Sequence, residues 1–153
     1  EYSQMIEFDM TTWKYPNVAK AHSQGLALTA ALQPLDNLGL KAAYTYLETK
    51  DDISGAQLVR RPKNKLSFDA NYRFMQKANL NLGLVYVGTR YADTANTQKM
   101  KDYLLVNLAG SYDVSKHLQL FGRIDNLFDR QYEEVAGYGT PGIGAYGGVK
   151  VSF

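Results

Sequence analysis

The sequence predicts an all-β protein, a transmembrane antiparallel up-and-down β-barrel to which this chain contributes about eight strands. Three observations predict it. Apolar and polar residues alternate with a period of two in eight segments, the signature of strands with one apolar face. The connections between those segments alternate between tight and long. Twelve tyrosines and thirteen glycines suit strands and turns better than helices, and no apolar run approaches the roughly 18 residues that a membrane-spanning helix needs.

The segments follow one another too closely for helices between them. "YSQMIEFDM" sets Ile6, Phe8 and Met10 on one side, and "SQGLALTAAL" does the same with Leu26, Leu28, Ala30 and Leu32. "LGLKAAYTYL" aligns Leu38, Leu40, Ala42, Tyr44 and Tyr46, with Lys41 on the opposite side. "KLSFDANYRF" sets Leu66, Phe68, Ala70, Tyr72 and Phe74 against Lys65, Ser67, Asp69, Asn71 and Arg73. "NLNLGLVY" aligns Leu80, Leu82, Leu84 and Tyr86, and "LLVNLAGSYDV" aligns Leu104, Val106, Leu108, Tyr112 and Val114. "LQLFGRID" sets Leu118, Leu120 and Ile124 against Gln119, Arg123 and Asp125. The chain closes on "GAYGGVKVSF", where Ala145, Val149, Val151 and Phe153 alternate with Gly148, Lys150 and Ser152.

Three connections, residues 34–37, 75–78 and 115–117, are short enough for hairpins. The others, "TTWKYPNVAK", "TKDDISGAQLVRR", "ADTANTQKMK" and "DRQYEEVAGYGTPG", are long and polar. In a meander, odd and even connections lie at opposite ends, so one end is trimmed and the other elaborated. In an outer-membrane barrel these ends are periplasmic and extracellular respectively.

Alternation alone fits both a membrane barrel and a soluble lipocalin-like barrel. The placement of aromatic residues favours the membrane. Tyr72, Phe74, Tyr112 and Phe153 fall near the short-turn ends, and Tyr44, Tyr46 and Tyr86 toward the long loops, which predicts a girdle at each membrane–water interface.

The net charge is only +2 and the basic residues are scattered, so the electrostatic footprint of a nucleic-acid-binding protein is missing. Cysteine is absent, which removes disulfides and thiolate metal sites. Beginning at Glu1 with no charged-then-apolar leader, the chain reads as mature, truncated or a piece of a longer one.

The terminal stretch "IDNLFDRQYEEVAGYGTPGIGAYGGVKVSF" resembles the C-terminal end of TonB-dependent outer-membrane receptors. The resemblance rests on Asn126-Leu127-Phe128-Asp129 followed by Tyr132, on Pro141-Gly142, and on the closing aromatic. "SQGL" at 23–26, "RRPKNKLSFDANYRF" at 60–74 and "YVGTRYAD" at 86–93 are similar to that family as well. Two positions depart from its pattern: Ala27 stands where an acidic residue is usual, and Ile143 where an arginine is.

The resemblance implies an integral protein of the Gram-negative outer membrane, of the cobalamin or ferric siderophore receptor type. It implies Gly148, Val149, Val151 and Phe153 as the signal read by the barrel-assembly machinery. Further implied partners are the lipid bilayer, lipopolysaccharide, TonB and a cobalamin or siderophore ligand. A complete receptor of this family encloses a plug and a TonB-contacting segment in or before a barrel of about 22 strands. Residues 1–153 read as a single barrel domain without plug, not competent alone for energised transport. They are either the C-terminal part of such a barrel or a small closed barrel of eight strands. In the closed case the small inward residues Ala27, Ala31, Ala43, Gly83 and Ala109 would leave space in the lumen.

Catalytic and cofactor chemistry finds little support. "GYGTPG" matches a G-x-G-x-x-G pattern, but Pro141 interrupts it and a strand follows where a dinucleotide site needs a helix. His22 and His117 fall at opposite ends of the barrel and cannot share a site. Asp51 and Asp52 are too few carboxylates for calcium. No enzyme, cofactor or metal centre is expected. The long loops carry Trp13, Tyr15, Arg60, Arg61, Tyr91, Tyr132 and Tyr138, residue types that suit a ligand vestibule or a contact with lipopolysaccharide.

Overall fold

The computed structural model describes residues 2–6, 13–14 and 17–153. They form ten strands and no helix: β1 (Tyr2–Ile6), β2 (Asn17–Leu35), β3 (Leu38–Asp51), β4 (Asn64–Phe74), β5 (Ala78–Val87), β6 (Arg90–Tyr91), β7 (Lys99–Met100), β8 (Tyr103–Ser115), β9 (Leu118–Asp125) and β10 (Gly144–Val151). Eight of them make one antiparallel meander in the order β1-β2-β3-β4-β5-β8-β9-β10, and β6 and β7 form a separate hairpin. Phe8 and Met10, assigned to the first strand from the sequence, lie outside the described residues.

Register carries the alternation across the sheet. In one row Leu28, Tyr44, Leu66, Tyr86 and Leu104 are successive cross-strand partners. In another Phe74, Ala78, Tyr112, Leu120 and Val149 follow one another. Both rows belong to the apolar face. The opposite face pairs Ala31, Lys41, Asp69, Gly83 and Asn107, and further along Asn81, Ala109, Arg123 and Tyr146. A slip of one residue would exchange the two faces, so the pattern specifies the register.

The sheet has no interior of the ordinary kind. Its apolar face is bare, with Leu28 55% and Leu32 66% exposed, and no large side chain among the described residues is fully buried. From Leu66 to Phe74 the two rows are separated by about 26 Å along the strand at roughly 3.3 Å per residue. With strands tilted by about 40°, this is on the order of 20 Å along the membrane normal, close to the height of the apolar band of an outer-membrane barrel.

Two boundaries differ from the sequence expectation. Pro34 belongs to β2 rather than to the turn, because a register irregularity between Leu32 and Leu35 accommodates a residue that cannot donate to the ladder. The connection "ADTANTQKMK" holds part of a hairpin, β6 pairing with β7 through Arg90–Met100 and Tyr91–Lys99. Two-residue strands carry no alternation that a sequence reading can detect. The tight turn between β4 and β5 places Met75 and Gln76 at φ 52° and 54°, the left-handed geometry of a type I′ turn that normally selects Asn or Gly. The Lys77 N–H closes it on the Phe74 carbonyl at 3.3 Å.

Closure into an eight-stranded barrel is not what the structure contains. Among the described residues β1 pairs only with β2 and β10 only with β9, so the sheet is open and both outer strands have free edges. Each backbone group left unpaired on those edges would cost several kcal/mol in hydrocarbon. Refolded into detergent micelles, this chain is therefore expected to run at the same position with and without boiling and to remain protease-sensitive. A heat-shifted, protease-resistant band would show that the edges join.

Candidate functional site

The long-loop end is built by side chains that take over where the ladder stops. Asn126 follows β9 in a left-handed conformation with φ 53°, a region that asparagine tolerates well, and is 5% exposed. Its N–H donates to Asn107 Oδ1 at 2.9 Å, and its Oδ1 accepts from the Arg130 N–H at 2.8 Å. Its Nδ2 donates to the carbonyls of Arg130 and Pro141 at 3.0 and 3.4 Å. The Asp129 N–H returns to the Asn126 carbonyl, and Asp129 Oδ1 accepts from the Ile143 N–H at 2.9 Å. The first and last residues of the Asn-Leu-Phe-Asp motif thus tie both ends of the 126–143 loop together. Phe128 is 75% exposed.

Gly142 is part of that lock. A Cβ there would collide with Asp129 Oδ1, so a larger residue forces the carboxylate to shift from the position in which it accepts from Ile143. Within the loop Gly137, at φ 80°, donates to Glu133 Oε2 at 3.1 Å, and Thr140 Oγ1 donates to the Tyr132 carbonyl at 2.7 Å. The "GYGTPG" stretch therefore serves as a loop of turns with a strand, β10, after it.

Three loops are joined. The Tyr132 ring lies 4.4 Å from that of Tyr103, and the guanidinium of Arg90 stands over Tyr103 at 5.4 Å while it donates to the Glu133 carbonyl. Arg90 is 4% exposed. On the other side, Asn96 and Gln57 exchange two hydrogen bonds of 2.7 and 2.9 Å, and the Arg60 N–H donates to the Tyr91 carbonyl at 2.8 Å. The β3–β4 loop is thereby bound to the β6–β7 hairpin, and the hairpin to the 126–143 loop.

Of the candidate vestibule residues, Trp13, Arg60 and Tyr138 come together. They line one cavity of about 460 Å³ with Glu134 and Val135. Tyr91 contributes its carbonyl to Arg60 rather than a ring to that cavity, and Arg61 offers its carbonyl to Gln57 Nε2. Tyr132 lines a second cavity of about 600 Å³. Tyr15 lies outside the described residues. Arg90, Tyr103 and Asn96 were missed, since one arginine and one asparagine in polar loops carry no signal until the fold sets them against their partners.

The remaining sequence candidates are placed as follows. Tyr44 donates its hydroxyl to Asn64 Oδ1 at 2.7 Å, Tyr86 donates to Asp102 Oδ2 at 3.2 Å, and the Tyr72 and Phe74 rings stack at 5.9 Å. Tyr46 is paired between Leu26 and Asn64. Gly148 lies under the Phe121 ring, which a Cβ would meet at 2.5 Å. Val149 and Val151 pair with Leu120 and Leu118 on the apolar face, and Phe153 is fully exposed. His22 contacts the Asp52 carboxylate, whereas His117 Nδ1 meets the Ser152 carbonyl at 3.0 Å. Asp51 Oδ1 accepts from the N–H groups of Ile53 and Ser54 at 2.8 and 2.9 Å. Both carboxylates of "KDD" are thus engaged by the protein.

Residues 1–127 match the family model described as TonB dependent receptor-like, beta-barrel. The chain belongs to the TonB-dependent receptor β-barrel family. Over 120 residues it is 39% identical to the vitamin B12 transporter BtuB of Photobacterium profundum, an alignment covering 78% of this chain and 20% of that relative. The chain thus spans about a fifth of the length of that protein. Among solved structures, the ferric-catecholate import receptor Fiu of E. coli K12 superposes with a TM-score of 0.79 at 16% identity, covering 99% of this chain and 24% of that one. The ferripyoverdine receptor of Pseudomonas aeruginosa superposes with a TM-score of 0.78 at 20% identity, over 98% of this chain and 23% of the other. These likenesses establish the fold. Membership makes the chain part of an integral outer-membrane β-barrel, with the bare apolar face toward lipid, and removes the soluble lipocalin-like alternative.

Two outcomes test this architecture. Gly142→Ala is expected to separate Asp129 from Ile143, lowering the loop's local stability by about 1–3 kcal/mol and raising hydrogen exchange at the Ile143 amide. Asp93 provides the pH test. Burial raises its pKa, but the N–H groups of Gln98 and Thr97 and the Thr97 hydroxyl outweigh that and hold it below its ordinary 3.8. A carboxylate depressed in the folded state stabilises at pH above its unfolded value and loses that contribution as pH falls through its folded value. Protection of the Thr97 and Gln98 amides relative to their intrinsic exchange rates should therefore fall as pH drops below 3.8, and Asp93→Asn should remove that loss.

Proposed function

We propose that this chain forms one wall and four of the extracellular loops of a TonB-dependent transporter for cobalamin. The observation that carries the reading is the 39% identity to a vitamin B12 transporter across 78% of the chain. A ferric siderophore is the second reading, supported by superposition on siderophore receptors. In either case the chain's role is structural and recognitive, and no enzymatic activity belongs to it.

The parts take these roles. Tyr44, Tyr46 and Tyr86 form the outer aromatic girdle, and Tyr72, Phe74 and Tyr112 the periplasmic one, where amphipathic rings are favoured. Gly148, Val149, Val151 and Phe153 form the ending read by the barrel-assembly machinery, the glycine leaving room for Phe121. Lipopolysaccharide surrounds the outer rim, and the receptor engages TonB at the periplasmic side. Trp13, Arg60 and Tyr138 take part in holding the ligand, since two aromatic surfaces and a guanidinium around one concavity have the composition of a binding hot spot. Arg61 and Tyr91 support the neighbouring backbone, and Tyr15 is assigned to the same vestibule from sequence alone.

Replacing Trp13, Arg60 and Tyr138 together with Ala in the receptor that carries this segment is expected to weaken cyanocobalamin binding by about tenfold or more. Equilibrium binding to the purified receptor measures it. Unchanged affinity would remove these loops from recognition, and binding of a ferric siderophore in place of cyanocobalamin would select the second reading.

A further inference from the structure

We propose that the cavity between the β7–β8 connection and the 126–143 loop is a phosphate-binding site with Lys99, Lys101 and Arg130 as its cationic groups. All three border a concavity of about 600 Å³. Two carboxylates also border it, but each accepts a donor from the protein: Asp102 from the Tyr86 hydroxyl at 3.2 Å, and Glu133 from the Gly137 N–H at 3.1 Å. No ion pair among the described residues includes any of the three cations. Arg130 donates one long bond of 3.4 Å from its side chain to the Asp102 carbonyl. Three cations against two carboxylates leave the lining with an excess of positive charge, which a bound anion offsets while the carboxylates stay held by Tyr86 and Gly137.

The chemistry favours phosphate over carboxylate. A carboxylate offers two oxygens, which one guanidinium fork satisfies. A phosphate group offers more acceptors and suits an arginine fork joined by lysine point charges. The position admits two sources. Asp102, through its bond to Tyr86, stands at the edge of the lipid-facing row that contains Tyr86 and Leu104, where the phosphates of outer-leaflet lipopolysaccharide lie. On its other side the cavity shares Gly139 and Thr140 with the aromatic cavity, so a phosphodiester on a ligand held there also reaches it. The second source rests on the transporter reading and the first does not.

The experiment is a set of titrations on the intact receptor carrying this segment, in detergent micelles at low salt. Inorganic phosphate, lipid A and cyanocobalamin are the separate probes. Combining Lys99→Gln, Lys101→Gln and Arg130→Gln is expected to weaken phosphate binding by about tenfold or more, with each single change giving about threefold. Lys116→Gln, in the turn at the opposite end, should leave it unchanged. Loss confined to lipid A identifies a lipid site, and loss on cyanocobalamin identifies a ligand site. Phosphate binding that depends on the three cations while cyanocobalamin fails to bind keeps the site and rejects the cobalamin reading. The proposal is overturned if wild-type receptor binds neither phosphate nor lipid A saturably, or if the single variants and the folded triple variant bind them with wild-type affinity.

Discussion

Every feature of this chain depends on one constraint: in hydrocarbon a backbone N–H or C=O without a partner costs several kcal/mol, so the strands must satisfy one another completely. The eight-stranded meander does so across seven successive antiparallel pairings, and only its two outer edges remain. The same ladder decides the side chains. Because direct partners in antiparallel strands share a face, leucines and tyrosines meet leucines and tyrosines, while Lys41, Asp69 and Asn107 fall in line on the other side. The sheet therefore needs no packed interior of its own, and its apolar face is matched to lipid.

Above the strands the ladder gives out, and side chains substitute for it. Asn126, Asp129, Asp93, Asp51 and Asn96 each accept backbone N–H groups or donate to carbonyls that no strand can reach. Four of the residues with positive φ, Arg60, Asn96, Asn126 and Asp129, lie in these loops, where hydrogen bonds hold a backbone that would otherwise relax. Arg90 then links loops that are distant in sequence through one ring and one carbonyl. The candidate vestibule residues of the proposed function thereby stand on segments fixed to a rigid wall, an arrangement in which loops bind with little loss of conformational freedom.

Legibility followed the same division. Strands of eight or more residues announced themselves by period-two alternation, and the family by Asn126 to Asp129 with Pro141 and Gly142. The β6–β7 hairpin did not, because two residues per strand have no period. Pro34 was read as a turn residue, although an irregular register lets β2 keep it. Trp13, Arg60 and Tyr138 were marked only by residue type, and the same criterion marked Arg61 and Tyr91, whose carbonyls make the contacts instead. Lys99 and Lys101 looked like ordinary loop lysines until the 126–143 loop set Arg130 beside them.

The sequence by itself determined the strand count of the meander, the residues that share each face and the family, because each is written in local alternation or in a contiguous motif. Tertiary structure alone decided that the sheet stays open at β1 and β10, that Arg90 joins two loops and that three cations share a cavity. Those outcomes depend on where residues from different loops and strands come to lie, and no local pattern records that distance.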